Sequence, residues 1–90
     1  MAKNPADVRL LTTDLPLQGE HVSISWMVWS GEEDSVPRAI GILQMHAARG
    51  DADAVLGIRV VAQARLHVGV LSGQRYDPMY TAYGTAVRFD

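Results

Sequence analysis

The fold turns on Asp53–Ala62, "DAVLGIRVVA", and on the run that carries it forward to Leu71. From Ala54 every second residue is apolar: Ala54, Leu56, Ile58, Val60, Ala62, Ala64, Leu66, Val68 and Val70. Their alternate neighbours include Arg59, Gln63, Arg65 and His67. A period of two marks a β-strand with one face buried and the other wet or paired at an edge. At about 3.3 Å per residue, a straight strand from Ala54 to Leu71 spans about 55–60 Å. A compact chain of 90 residues has a radius of gyration near ~12 Å and is only about half that distance across. The strand must either bend sharply or carry its far half out of the body. Gly57 is placed for a bulge or a close backbone approach, and Gly69 for the same near the far end.

Upstream, the period is that of a helix. Glu32, Glu33, Asp34 and Ser35 precede Val36-Pro37, which supplies capping oxygens, favourable charge for the dipole and a proline for the first turn. Val36, Ile40, Leu43 and Ala47 recur at helical spacing and form a stripe to lay on a sheet. Arg49 suits the negative end of the dipole and Gly50 is a natural stop. Gly41 falls inside the helix, explained equally by a close approach to the sheet and by simple tolerance.

Further upstream, "EHVSISWMVWS" (Glu20–Ser30) alternates, with Val22, Ile24, Trp26 and Val28 on one face and Met27 and Trp29 on the other. Asp14–Gly19 reads as a loop because Pro16 and Gly19 punctuate it, and residues 1–7 read as a loose terminus. Downstream, Ser72–Pro78 reads as a turn or short loop, followed by a strand over "MYTAYGTAVRF" (Met79–Phe89). The expected fold is α+β: strand, helix, strand, strand. Three antiparallel strands carry one helix on one face, with a long bent second strand, in a single domain over residues 1–90.

Composition excludes several classes of function. A formal charge of −2 with eight scattered basic residues leaves no footprint for nucleic acid or an anionic membrane surface. The absence of cysteine removes disulfides, thiolate metal sites and cysteine nucleophiles. No window approaches the ~20 apolar residues of a membrane span, and the opening residues lack the apolar core of a signal peptide. A cytoplasmic protein is expected.

One helix of about fourteen residues is ~21 Å long and cannot cover the sheet just described. Met27 and Trp29, together with Leu66, Val68 and Val70 on the long strand, would form an apolar surface larger than monomers usually expose. Those five residues are the candidate interface of a homo-oligomer. A strongly coiled sheet that hides the surplus internally is the plainer alternative.

Chemical candidates are sparse. His21 and His67 occupy polar strand positions and would approach if their strands pair. Asp51 and Asp53 form an Asp-x-Asp after the helix. These four are the candidate ligands for a divalent metal ion, against the plainer reading of solvated histidines and turn-forming acids. His46 lies where an imidazolium would favour the helix C-terminus. No nucleophile elbow, orienting acid or phosphate-binding glycine pattern is present, so no catalytic set is assigned.

Several short stretches nevertheless resemble one family. "ADAVLGIRV" (Ala52–Val60) and "YGTAV" (Tyr83–Val87) are similar to two motifs of the YbjQ-like proteins, the heavy-metal-binding-domain family of bacteria and archaea. "TTDLPLQG" and "WSGE" resemble its opening elements more weakly. The resemblance implies a dodecin-like strand–helix–strand–strand subunit assembling as a pentameric ring. The segment between Ser30 and Ala52 departs from the family, which has a longer insert and helix there, and no functional residue is carried over. The expected function is a small oligomer-forming protein that binds a metal ion or small ligand at or between subunits. A structural or protein-interaction module with no small ligand is the alternative.

Overall fold

The computed structural model describes residues 3–16, 19–69 and 73–90, without the side chains of 67, 68, 74 and 75. Strands β1 (Arg9–Leu10), β2 (Val22–Trp29), β3 (Ala54–Gly69) and β4 (Gly73–Phe89) accompany one helix, α1 (Val36–Arg49). The sheet order is β1-β3-β4-β2, with β1 parallel to β3 and the other pairs antiparallel. The α+β class and the single packed helix agree with the sequence. The sheet does not: it is four-stranded and mixed, because Arg9 and Leu10 add a short parallel strand beside Ala54 and Val55. Two residues carry no detectable period, which is why the pattern is silent there. Residues 5–7 form a single 3-10 turn, and the Lys3 amide donates to the Ala48 carbonyl at 3.1 Å. The segment expected to be loose therefore has fixed contacts from Lys3 onward.

The helix begins as its sequence dictates. The Ser35 hydroxyl accepts from the Arg38 amide at 3.2 Å, and Pro37 occupies the first turn. It ends in a Schellman arrangement, with Ala52 N–H donating to Ala47 O and Asp51 N–H to Ala48 O. The left-handed residue is Asp51 (φ 62°) and not Gly50; aspartate tolerates this region through its short polar side chain. Gly50 is needed for another reason: a Cβ there would lie 2.7 Å from the Trp26 ring. Ala39, Leu43, Ala47 and Ala48 form the buried stripe with Ile40 packed against it, while Val36 is 40% exposed, so the expected stripe holds at Ile40, Leu43 and Ala47 and fails at Val36. Gly41 meets nothing within 4 Å, so simple tolerance, not close approach, describes it within one chain.

Gly57 answers the question its strand poses. With φ +63° it lies in the bulge where Leu56 pairs with Thr85 and Arg59 with Tyr83, two residues facing one. The extra residue reverses the alternation. Ala54 and Leu56 pack with Val87, Leu11 and Phe89 on one side of the sheet, whereas Val55 and Ile58 pack under the helix with Leu43, Ala47, Ala82 and Ala86. The apolar row is thus not one face from end to end, as the unbroken period suggests; it changes sides at Gly57. A similar slip between Val22 and Ile24 breaks the expected Val22–Val28 face, and Val22 and Ile24 are 40% and 52% exposed.

Beyond the bulge β3 runs on with β4 as an arm, which becomes two-stranded once β4 has passed its pair with Trp29 at Tyr83 and its bridge to Glu33 at Tyr80. Ladder pairs continue from Arg59–Tyr83 to Gly69–Gly73. The expected loop over Ser72–Pro78 is therefore strand from Gly73 onward. The molecule measures 57 × 26 × 17 Å with a radius of gyration of 15.8 Å, against about 12 Å for a compact chain of this length. Of the two ways to place the long strand, projection is the one adopted.

Candidate functional site

Two neighbouring features set this surface apart from ordinary solvated sheet. The first is the arm. Every described side chain from Arg59 to Leu66 is exposed. Cross-strand partners share a face, so Ala62–Tyr80, Ala64–Pro78 and Leu66–Tyr76 continue the helix side of the sheet past the end of the helix. That face carries no charge. Leu66 is 49% and Tyr76 69% exposed. The opposite face is mixed: Arg59, Val61, Gln63 and Arg65 pair with Tyr83, Thr81, Met79 and Asp77.

The second is a shallow cleft of about 270 Å³ at the outer edge of β2, lined by Met27, Val28, Trp29 and His46. Met27 and Trp29 pair with Thr85 and Tyr83, on the face away from the helix, and are 67% and 59% exposed. His46 reaches over from the last turns of α1. Its Nδ1 lies 2.8 Å from the Trp29 carbonyl; a carbonyl accepts, so Nδ1 carries the proton and Nε2 is left for another partner. This bond also covers one outward carbonyl of an edge strand. Sequence reasoning placed His46 only at the helix terminus; its contact with Trp29, seventeen residues away, has no local signal.

The expected metal ligands lie apart. His21 directly precedes β2 at the base of the sheet, where its carbonyl accepts from the Asp90 amide. His67 stands far out on the arm at the register position of Arg75. β4 lies between β2 and β3, so the strands of the two histidines do not pair. Asp51 faces Arg88 at 3.7 Å. Asp53 is paired with Lys3 and accepts from the Phe89 amide at 2.8 Å. The Lys3 hydrogen bond, then that amide, hold its carboxyl below the usual carboxylate range against a smaller opposing effect of burial. The two acids thus close the base of the body, and the four residues do not form one donor set. Among the described residues there is no group of three or more His, Cys, Asp or Glu arranged to hold a metal ion.

Of the five candidate interface residues, Met27, Trp29 and Leu66 are uncovered, but on opposite faces of the sheet. The side chain of Val68, and Val70 entirely, lie outside the described residues. No described helix is long and apolar enough to cross a membrane. No family model, curated protein or solved structure matches the chain.

Proposed function

We propose that this is a self-assembling protein whose β3–β4 arm is built to be covered by further copies of the same chain, with the Met27–Trp29–His46 cleft as the place for a small ligand beside that contact. The arm carries this reading. A lone two-stranded hairpin is marginal in water, yet β3 runs on from Arg59 to Gly69 paired with β4, and its own described side chains out to Leu66 are all exposed. At about 3.3 Å per residue it is ~33 Å long. Beyond the Glu33–Tyr80 bridge about 23 Å of it stands as a free ribbon ~10 Å across each way, exposing on the order of 900 Å². Covering half of it gives roughly 450 Å², and the exposed Met27 and Trp29 add to this towards the ~600–1,000 Å² per partner of a standard interface.

The YbjQ-like resemblance supports the same reading, because the glycines of both its stronger motifs serve the structure. Gly57 forms the bulge at the root of the arm. At Gly84, a Cβ would lie 2.7 Å from Val55 Cγ1 and 2.9 Å from the Leu56 carbonyl. The ring implied by that resemblance belongs to this proposal. So does a cytoplasmic location.

A native mass spectrum of the purified protein is the test. A closed multiple of the 9.8 kDa subunit is expected, and added mass would reveal a ligand. A monomer that captures a stoichiometric foreign protein through Met27 and Trp29 would replace this reading with that of a protein-interaction module.

A further inference from the structure

An edge strand can accept a neighbour only where its backbone groups point outward and are free. Directly after β2, the Ser30 amide donates to the Ala82 carbonyl at 2.8 Å. Inward and outward residues alternate along an antiparallel strand, so Val28 and Trp26 bond toward β4 while Trp29, Met27 and Ser25 point out. The Trp29 carbonyl is indeed the one His46 reaches. The backbone groups of Met27 and Ser25 have no partner among the described residues.

The arm has two edges of unequal availability. On β4, Tyr80 exchanges both backbone bonds with Glu33, at 2.7 and 2.8 Å. Two residues further along in the same outward phase stands Pro78, which has no N–H to offer. That edge is blocked. In a two-stranded ribbon the partners of outward residues also point out, on the opposite edge. Ala62 and Ala64, opposite Tyr80 and Pro78, therefore face outward from β3, and Val60 and Leu66 share their phase. At the root, Leu11 and Thr13 carbonyls take the Ile58 and Gly57 amides. From Val60 to Leu66 no described residue covers the edge, and all four outward side chains are uncharged and exposed.

One chain thus presents two available edges: β3 from Val60 to Leu66, and β2 at Ser25 and Met27. We propose that the β3 edge of one copy pairs with the β2 edge of the next, joining copies head to tail. Such a contact leaves each copy with one donor and one acceptor edge, so the assembly propagates until it closes or extends as a filament. Pairing β3 with β3 of a second copy would leave β2, Met27 and Trp29 uncovered. This inference rests on the assembly reading above and assigns its contact.

Proline provides the test, because at an outward position it removes a donor without touching the intramolecular ladder. Ala64→Pro and Ser25→Pro are each expected to reduce the assembly to monomer in native mass spectra, with helix and sheet content retained by circular dichroism. Mixed in equal amounts, they are expected to give a one-to-one pair, since each still holds the edge the other lacks. If a proline variant does not fold, Ala64→Lys and Met27→Lys repeat the mixing experiment with the backbone intact. Ser25→Pro or Met27→Lys remaining fully assembled, or no pair forming on mixing, would overturn the proposal while leaving self-assembly standing. A monomeric wild-type chain would remove both.

Discussion

Val55 and Val60 belong to the same strand and point to the same side of the sheet, yet they meet opposite surroundings. Val55, beside Ala86, is fully buried beneath Leu43 and Ala47, while Val60 is 38% exposed. Between them lies the bulge at Gly57. Below it, the sheet has α1 on one face and the Leu11 segment on the other. Above it that cover runs out: Ala82 and Tyr80, opposite Val60 and Ala62, still pack against the helix core, and Ala64 and Leu66 beyond them are exposed. The body and the arm are made of the same residue types in the same pattern. Alternation marks surface that some packing partner must cover; it does not say whether the partner lies in the same chain.

The largest expected effect sets the two regions directly against each other. Leu43 is fully buried in the body, and truncation to alanine is expected to cost about 3 kcal/mol through lost burial and the cavity left behind. Leu66, half-exposed on the arm, is expected to cost less than about 0.5 kcal/mol when truncated in the dilute, dissociated chain. Urea unfolding at a concentration below assembly measures both. Equal losses would mean that the arm is already packed within one chain, and the distinction would fall.

A middle-sized effect concerns two glycines. Gly84 lies under the helix side of the sheet, and alanine there would press on Val55 Cγ1 at 2.7 Å and on the Leu56 carbonyl at 2.9 Å. Because one of those atoms is backbone, relief is limited, and a loss of about 1–3 kcal/mol is expected for Gly84→Ala. Gly41, in the exposed middle of α1, meets nothing within 4 Å. Alanine there is expected to stabilise the dissociated chain by up to about 1 kcal/mol. Thermal melts of the two variants should move in opposite directions. If Gly41→Ala instead weakened assembly without lowering the stability of the dissociated chain, the helix surface would join the arm as a contact region.

These contrasts show what could be read from the residues. The helix was legible because Ser35, Pro37 and the four-residue spacing of Leu43 and Ala47 all favour one local conformation. Length alone requires the long strand to bend or to project, and the bend expected from the sequence is replaced by projection beyond Gly57. What escaped was each feature decided by distant contact. β1 consists of two residues, and only its register beside Ala54 makes it a strand. Pro78 reads as a turn signal, but its phase points the missing donor away from the ladder, so the strand passes through it. The face reversal at Gly57 is invisible to a period of two, because apolar residues lie on both sides of it. The cleft joins Met27 and Trp29 to His46 across β2 and α1, two elements whose relative placement no spacing encodes. Asp51 and Asp53 read as metal ligands in the sequence because a pair of acids looks the same whether it faces a metal or Lys3 and Arg88.

The smallest effect contrasts the ion pairs that close the two regions. In the body, Asp53 joins the N-terminal segment to β4 through Lys3 and the Phe89 amide. Its carboxyl is held below its usual value, first by the Lys3 hydrogen bond and then by that amide. A carboxyl depressed in the folded state adds stability above its unfolded pKa of about 3.9. That contribution is lost as pH falls from there through the lowered folded value. Asp53→Asn is therefore expected to lower stability at neutral pH and to flatten the acid limb of the stability curve below about pH 4. Both side chains of the pair remain partly exposed, 25% and 33%, so the loss at pH 7 should be at most about 1 kcal/mol. At the arm, Arg65 stands 4.0 Å from Glu32, with side chains 68% and 51% exposed. Glu32→Gln is expected to change the stability of the dissociated chain by less than about 0.5 kcal/mol. Denaturant titrations of both variants from pH 3 to 7 measure the difference. A Glu32→Gln loss as large as that of Asp53→Asn would mean that the middle of the arm is held to the body as firmly as the N-terminal segment is, and that the boundary between the two regions lies further out than Gly57.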